Sequence, residues 1–189
     1  MADVKIKVNA LNSLHIVGKV TDVVKNATGN KIHIKVTGEQ GSFTIKAQLP
    51  QGSRVPSIGD FIHAIGNLRY SEDYKTHKIM VSAVTHIQHD IDLNVIYLEG
   101  TVLSAAPEPI GNDLYEIKFA SFNISKMGEI FTMPVTVQIT AATYTATNRM
   151  IAQYERYIVE GYLFKDGKEV KIGAYHIKSA NGIYQTIQI

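Results

Sequence analysis

The feature that most constrains the fold of this 189-residue chain is an internal repeat. Three pairs of segments match in the same order: Asn12–Val20 with Asn94–Val102, Gly29-Asn30 with Gly111-Asn112, and Ile62–Leu68 with Tyr157–Leu163. The first two pairs share one offset along the chain, and the third is displaced by a longer connection in the second copy. Three matches in the same order are hard to obtain by chance. The sequence therefore predicts two copies of one structural unit.

The local pattern within each copy is that of β-strands. Ile32, Ile34 and Val36 alternate with polar residues, and the runs that begin at Phe43 and Val135 alternate in the same way. Such period-2 runs, rich in β-branched residues, are typical of half-buried strands. Each copy therefore has about five short strands.

One short helix is predicted near residues 147–156, between the third and fourth strands of the second copy. Met150 and Tyr154 recur at helical spacing there, and Thr147 is a suitable N-cap. In the first copy the same place is taken by Pro50–Asp60, where glycine and proline predict a loop. This difference accounts for much of the extra length of the second copy.

These elements predict an all-β protein of two tandem OB-fold barrels, each a five-stranded Greek-key barrel. Residues 1–90 form the first barrel, preceded by an additional N-terminal strand, and residues 91–189 form the second, with its short helix between strands 3 and 4. A small β-sandwich and an SH3-like barrel are the alternatives that the strand pattern leaves open.

Catalysis has little support in the sequence. The absence of cysteine excludes disulfides, thiolate zinc sites and cysteine nucleophiles. The seven histidines are scattered, and only His86 and His89 lie close enough in sequence to suggest a metal site, with Asp90 as the one nearby carboxylate. No phosphate-binding glycine loop or hydrolase motif is present. We expect a protein that is not an enzyme and needs no cofactor or metal.

Charge and aromatic residues are distributed unevenly between the two copies. Residues 1–90 contain 11 lysines and arginines against 7 acidic residues, whereas residues 91–189 contain 8 against 10. Twelve of the sixteen tyrosines and phenylalanines lie in the second copy. Binding of single-stranded nucleic acid needs cations along the phosphates and flat side chains against the bases. The first copy supplies mainly the cations, and the second copy supplies mainly the flat aromatic side chains.

The candidate nucleic-acid-binding residues lie on the outward phase of strands 2 and 3 and in the hairpins between strands 4 and 5, where an OB barrel has its groove. In the first copy they are His33, Lys35, Lys46, Arg69, Tyr70, Tyr74, Lys75 and Lys78. In the second copy they are Phe122, Phe131, Tyr162, Phe164, Lys165, Lys168 and Lys171. Cations and aromatic residues interleave most densely in the hairpin Arg69–Lys78.

In several of these segments the chain resembles the bacterial-type single-stranded DNA-binding proteins. The spacing Asn-x5-Gly-x-Val, at Asn12 and again at Asn94, resembles the first strand of that family. The segment Tyr154–Leu163 resembles the end of the family's helix followed by a V-x-I-E-G-x-L strand, and Gly59–Arg69 resembles the same segment in the first copy. The resemblance implies OB barrels that bind single-stranded DNA with little sequence preference and protect it during replication, recombination or repair.

The resemblance also bears on which residues stack with bases. The positions nearest to the family's stacking sites are Tyr70, Tyr74, Phe122, Phe131 and Phe164. The tryptophans typical of those sites are absent, since the chain has none. The family's acidic tail tip is also missing, so we do not expect replication or recombination proteins to be recruited in that way.

Two other functions remain open, a tandem-OB protein-interaction subunit with weak or no nucleic-acid binding, and RNA binding. A homodimer is expected, because the alternating apolar residues of both terminal segments predict additional strands with unpaired edges. These residues are Val4, Ile6, Val8, Ile183, Ile187 and Ile189. No apolar run approaches the length needed to cross a bilayer, so no membrane partner is expected. The expected location is the cytoplasm, at the nucleoid, or the host cytoplasm for a viral protein.

Overall fold

The computed structural model describes residues 11–25, 29–38, 41–71, 76–89, 91–125, 129–147 and 150–180. This part of the chain is all-β with one short helix, as the sequence predicts. The elements are β1 (Asn12–Val24), β2 (Lys31–Gly38), β3 (Gly41–Gln48), β4 (Phe61–Ser71), β5 (Thr76–Ile87), β6 (Asn94–Val102), β7 (Glu108–Gly111), β8 (Leu114–Ile124), β9 (Ile130–Thr140), α1 (Ala141–Ala146), β10 (Arg156–Asp166) and β11 (Glu169–Ser179).

The strands pair in two cycles. In the first, β1 pairs with β2, β2 with β3, β3 with β5, β5 with β4, and β4 again with β1. In the second, β6, β8, β9, β11 and β10 pair in the same manner, and β7 adds to β8. Only the β3–β5 and β9–β11 pairs are parallel. We call strands β1–β5 the first half and β6–β11 with α1 the second half.

The core follows from the period-2 alternation of the strands. Ile32, Ile34 and Val36 of β2 are fully buried, while Lys31 and Lys35 on the opposite phase are exposed. Burial of a large aliphatic side chain contributes about 1.5–3 kcal/mol, so the inward phase of each strand is strongly fixed. A shift of one residue would place the lysines inside, and the register therefore also fixes which side chains face outward.

One buried asparagine in each half makes the same pair of hydrogen bonds. Asn12 Nδ2 donates to Leu68 O at 2.9 Å, and Leu68 N donates to Asn12 Oδ1 at 3.0 Å. Asn94 does the same with the backbone of Leu163, at 2.7 and 3.1 Å. Both side chains are at most 7% exposed. Each asparagine satisfies a buried backbone donor and acceptor where β4 or β10 lies beside the first strand of its half.

A glycine is also required at one equivalent point of each half. A Cβ at Gly66 would lie 2.3 Å from Met80 O, and a Cβ at Gly161 would lie 2.1 Å from Gly173 O. The pairing register shifts immediately before each of these glycines. A side chain there would collide with backbone atoms, so the close approach of the neighbouring strand depends on glycine.

The helix lies between β9 and β10, but the prediction of its position near 147–156 was wrong. It spans Ala141–Ala146, with Thr140 as N-cap and Thr147 at its C-terminal cap. The described residues 150–155 are not helical. The hydroxyl of Tyr157, which belongs to β10, instead donates to Met150 O at 2.8 Å. Spacing alone could not reveal that this tyrosine anchors a loop.

The two halves are joined through β1 and β6 and through side-chain contacts. β1 and β6 pair in antiparallel register from Asn12–Leu98 to Ile16–Asn94. Asn12 Nδ2 also donates to Asn123 Oδ1 at 2.8 Å, a buried bond between the halves. These contacts hold the two cycles against each other. The connection between β5 and β6 is short, since β5 ends at Ile87 and β6 begins at Asn94.

Candidate nucleic-acid interface

A basic groove lies on the outer surface of the first half. We define it by Lys31, His33, Lys46 and Lys78, which line one open cavity of about 410 Å³. His33 lies directly opposite Lys46 across the β2–β3 pair. Lys78 comes from β5, where the next residue, Ile79, pairs with Ala47 of β3. Three strands thus bring four basic side chains to one surface.

The groove keeps most of its positive charge. Among the described residues, no carboxylate lies within 4 Å of the ammonium groups of Lys31, Lys46 or Lys78. His33 is the exception, with Nδ1 at 3.5 Å from Asp22 Oδ2. Three lysines without a carboxylate partner among the described residues therefore share one concave surface, and such a distribution of charge attracts phosphate groups.

On the equivalent surface of the second half, the lysine is paired with carboxylates of the same half. The strand registers make Glu116, Lys118, Thr136 and Lys171 the counterparts of Lys31, His33, Lys46 and Lys78. Lys171 Nζ lies 2.5 Å from Glu116 Oε1 and 2.8 Å from Asp166 Oδ2. We call Lys171 with these two carboxylates the ion-paired cluster.

Further hydrogen bonds fix this arrangement. Gln138 Nε2 donates to Glu116 Oε1 at 2.9 Å. Burial by itself raises the pKa of Glu116, but the hydrogen bonds from Gln138 and Lys171 and the charges of Lys171 and Lys118 outweigh it and lower the pKa overall. For Lys171, burial lowers the pKa, but bonds to Asp166 and Glu116 raise it overall. Both groups are therefore charged at neutral pH and satisfied by each other.

A second concave surface, which we call the junction cleft, lies where the halves meet. It encloses about 320 Å³ and is lined by Tyr70, Thr76 and His77 of the first half and by residues of β8, β9 and β11. Tyr70 packs on the His77 ring with centroids 5.1 Å apart. His77 is only 6% exposed, so this part of the predicted hairpin is packed against the second half.

Two of the predicted residues connect the halves. The Arg69 guanidinium donates to Ile124 O at 2.7 Å and lies 4.8 Å from the centroid of Phe131. Phe131 remains 39% exposed. Phe122 is half-buried, with the Arg156 guanidinium 5.1 Å from its ring centroid. Burial lowers the pKa of Arg69, but at neutral pH it remains a cation.

The other predicted residues are spread over the surface. Lys35 is exposed on β2 outside the basic groove, and Lys168 is exposed beside the junction cleft. Tyr162 contacts Phe164, which is 7% exposed. Lys165 is exposed and lines a small cavity together with Gly38 of β2 and Gly41 of β3. Tyr74 and Lys75 lie outside the described residues, as do the terminal residues on which the homodimer prediction rests.

Sequence reasoning missed several residues of these surfaces, among them Lys31, Thr76, Lys118 and Pro134. Lys31 has the same phase as His33 and Lys35, and extending that alternation by one step would have found it. Lys118 also alternates with the buried Ile117 and Phe119 of β8, but that it lines the junction cleft, as Thr76 does, depends on the packing of the two halves.

Comparisons with known proteins agree with this architecture. No family model and no curated protein matches the sequence. The structure is similar to that of the wild-type single-stranded DNA-binding protein from Thermus aquaticus, with a TM-score of 0.66 and 16% identity over 90% of this chain and 93% of that chain. A deletion mutant of the Thermus aquaticus protein gives a TM-score of 0.66 at 14% identity, over 90% of this chain and 94% of that chain. At these identities the likeness establishes the fold.

Two further findings concern the described residues. They contain no helix that is long and apolar enough to cross a membrane. They also contain no group of three histidine or acidic side chains arranged to hold a metal ion. His86, considered above as a metal ligand, has its Nδ1 at 3.3 Å from Asp60 Oδ2.

Proposed function

We propose that this protein binds single-stranded DNA with little sequence preference, through the basic groove of its first half. The observation on which this proposal rests is the set of three lysines without described carboxylate partners, gathered on one concave surface by β2, β3 and β5. The likeness in fold to a single-stranded DNA-binding protein supports the same function.

The chemistry of the groove favours a flexible polyanion. Ammonium groups contact phosphates without regard to the base attached, so binding through lysines is tolerant of sequence. Lys31, Lys46 and Lys78 would release counterions on binding. At roughly 0.7 per phosphate contact, they predict a slope of about −2 for log affinity against log salt.

The proposal includes the finer architecture. We infer that each pairing cycle is an OB barrel, one in residues 1–90 and the other in residues 91–189. The closed order of pairings and the single parallel pair in each cycle support this inference. A homodimer would place two basic grooves on one strand, and such an assembly would protect single strands exposed in replication, recombination or repair.

A titration of labelled oligo-dT with the full chain tests the function. We expect saturable binding at low salt, with a salt slope of about −2 or steeper, and weaker competition by duplex DNA. RNA as competitor tests whether the groove distinguishes the two backbones. Absence of binding to oligo-dT at low salt, or a preference for duplex DNA, would contradict the proposal.

The ion-paired cluster favours a second candidate function for the other half. Since Lys171 is already neutralised by Glu116 and Asp166, the outer surface of that half is better suited to hold a protein partner than a nucleic acid. A chain that fails to bind oligo-dT would make this protein-interaction role the leading explanation.

A further inference from the structure

The junction cleft has the chemistry of a nucleotide-binding site. Its volume of about 320 Å³ lies within the range of small-ligand pockets, about 300–1,000 Å³. Tyr70 and Pro134 provide flat apolar surfaces, while Lys118 and Lys168 provide cations. Both lysines are exposed. The Lys118 ammonium group donates to Thr136 Oγ1 at 3.1 Å and lies 3.9 Å from Glu116 Oε2, whereas no described carboxylate lies within 4 Å of the Lys168 ammonium group.

The wall of the cleft is held in place by a bond between the two halves. His77 Nε2 lies 2.9 Å from Pro134 O, and because a carbonyl only accepts, the ring carries a proton on this nitrogen. Burial lowers the pKa of His77, although its bond to Pro134 and the charge of Glu169 oppose this. Across the cleft, Thr136 Oγ1 donates to Glu169 Oε1 at 2.7 Å, which holds that carboxylate against β9. The surfaces that would contact a base are therefore preformed.

The cleft and the basic groove share one lining residue. Thr76 lines both cavities, and it lies at the start of β5, two residues before Lys78. A chain lying along Lys46 and Lys78 that continued past Thr76 would enter the cleft beside Tyr70. The ammonium group of Lys171, by contrast, is held by two carboxylates.

We propose that the junction cleft binds a nucleotide of the same single strand that occupies the basic groove, with its base against Tyr70 and Pro134 and its phosphate facing Lys118 and Lys168. The second half then contributes to binding at the junction, although its own groove is closed by the ion-paired cluster. This inference rests on the proposed function and adds a second contact to it.

The test uses the full chain and a series of oligo-dT lengths that begins at about 4 nucleotides, the short end of OB-fold site sizes. The variant Lys118→Ala/Lys168→Ala should flatten the salt slope for long oligonucleotides by up to about 1.4 and leave the shortest unaffected. The control is Lys19→Ala/Lys178→Ala, which removes the same charge from positions that line neither cavity. Thermal unfolding establishes that all variants are folded.

Photo-cross-linking provides an independent readout that needs no substitution. Long oligo-dT with 4-thiothymidine should cross-link to Tyr70, as identified by peptide mass spectrometry, whereas the shortest oligonucleotide should not. If wild-type protein binds oligo-dT but the lysine pair has no effect beyond the control and Tyr70 is never cross-linked, the cleft proposal is overturned and the groove stands. If oligo-dT does not bind at all, both proposals fail.

Discussion

The outer surfaces of the two halves differ in what their lysines contact. Lys78 and Lys171 occupy equivalent positions beside the parallel strand pair of their half. Lys78 lines an open cavity with Lys31 and Lys46, whereas Lys171 is 8% exposed and bonded to Glu116 and Asp166. Similar backbone arrangements thus present an open cationic surface in one half and a neutralised one in the other.

This difference teaches that the backbone alone does not decide where a polyanion binds. A phosphate that approached Lys171 would have to displace carboxylates that already make short charge-assisted hydrogen bonds. A phosphate that approached Lys46 or Lys78 would displace water and counterions but no carboxylate of the described residues. The replacement of Lys31 by its counterpart Glu116 is the largest single change between the two surfaces.

The largest loss of stability is expected at the buried asparagine that both halves share. Asn94→Ala would leave the backbone N–H and C=O of Leu163 buried without partners, and Asn12→Ala would do the same at Leu68. Each should lower the free energy of unfolding by about 2–4 kcal/mol, measured by urea denaturation. Asn67→Ala, which removes one bond to Asn12 O at 2.8 Å, should cost less.

A large loss at only one of the two asparagines would contradict the comparison. It would show that the halves do not depend on this contact in the same way, and the equivalence of their other positions would then need independent support.

A smaller effect is expected in the ion-paired cluster. Glu116→Gln should lower the free energy of unfolding by about 1–3 kcal/mol at pH 7, because Lys171 loses a charged partner. The folded-state pKa of Glu116 lies below its usual value of 4.5, so its stabilising contribution is present above that pH and is lost as the pH falls through the folded value. The difference in the free energy of unfolding between the wild type and Glu116→Gln should therefore become smaller as the pH falls.

Urea denaturation at pH 7 and at several values below 4.5 measures this gap. Glu129→Gln removes an exposed carboxylate and serves as the control, with little effect at any pH. A constant gap between wild type and Glu116→Gln at all pH values would show that the loss comes from packing rather than charge.

Much of the fold could be predicted because burial imposes a strict alternation on strands. Ile32, Ile34 and Val36 revealed their strand in this way, and Asp166-Gly167 marks the turn of the β10–β11 hairpin. The helix was misplaced because Tyr154, on the assumed helical face, is 73% exposed and has a φ of 67°, which no helix contains.

The candidate site was predictable only in part. His33 and Lys46 were predicted because cations on the outward phase of a strand follow its period, and Lys78 because it belongs to the hairpin in which cations and aromatic residues interleave. The partners of Lys171 could not be found, since Glu116 is distant in sequence and reaches it only through the register of three strands. Pairing across the sheet decides whether a lysine is available for a ligand, and composition does not reveal it.

The most direct test compares the equivalent lysines Lys78 and Lys171 in one experiment. Oligo-dT affinity is measured as a function of salt for Lys78→Ala and Lys171→Ala, together with urea denaturation of both. We predict that Lys78→Ala flattens the salt slope by about 0.7 with stability unchanged, whereas Lys171→Ala lowers the free energy of unfolding by about 1–3 kcal/mol and leaves the slope unchanged. A flattened slope for Lys171→Ala with none for Lys78→Ala would contradict the account.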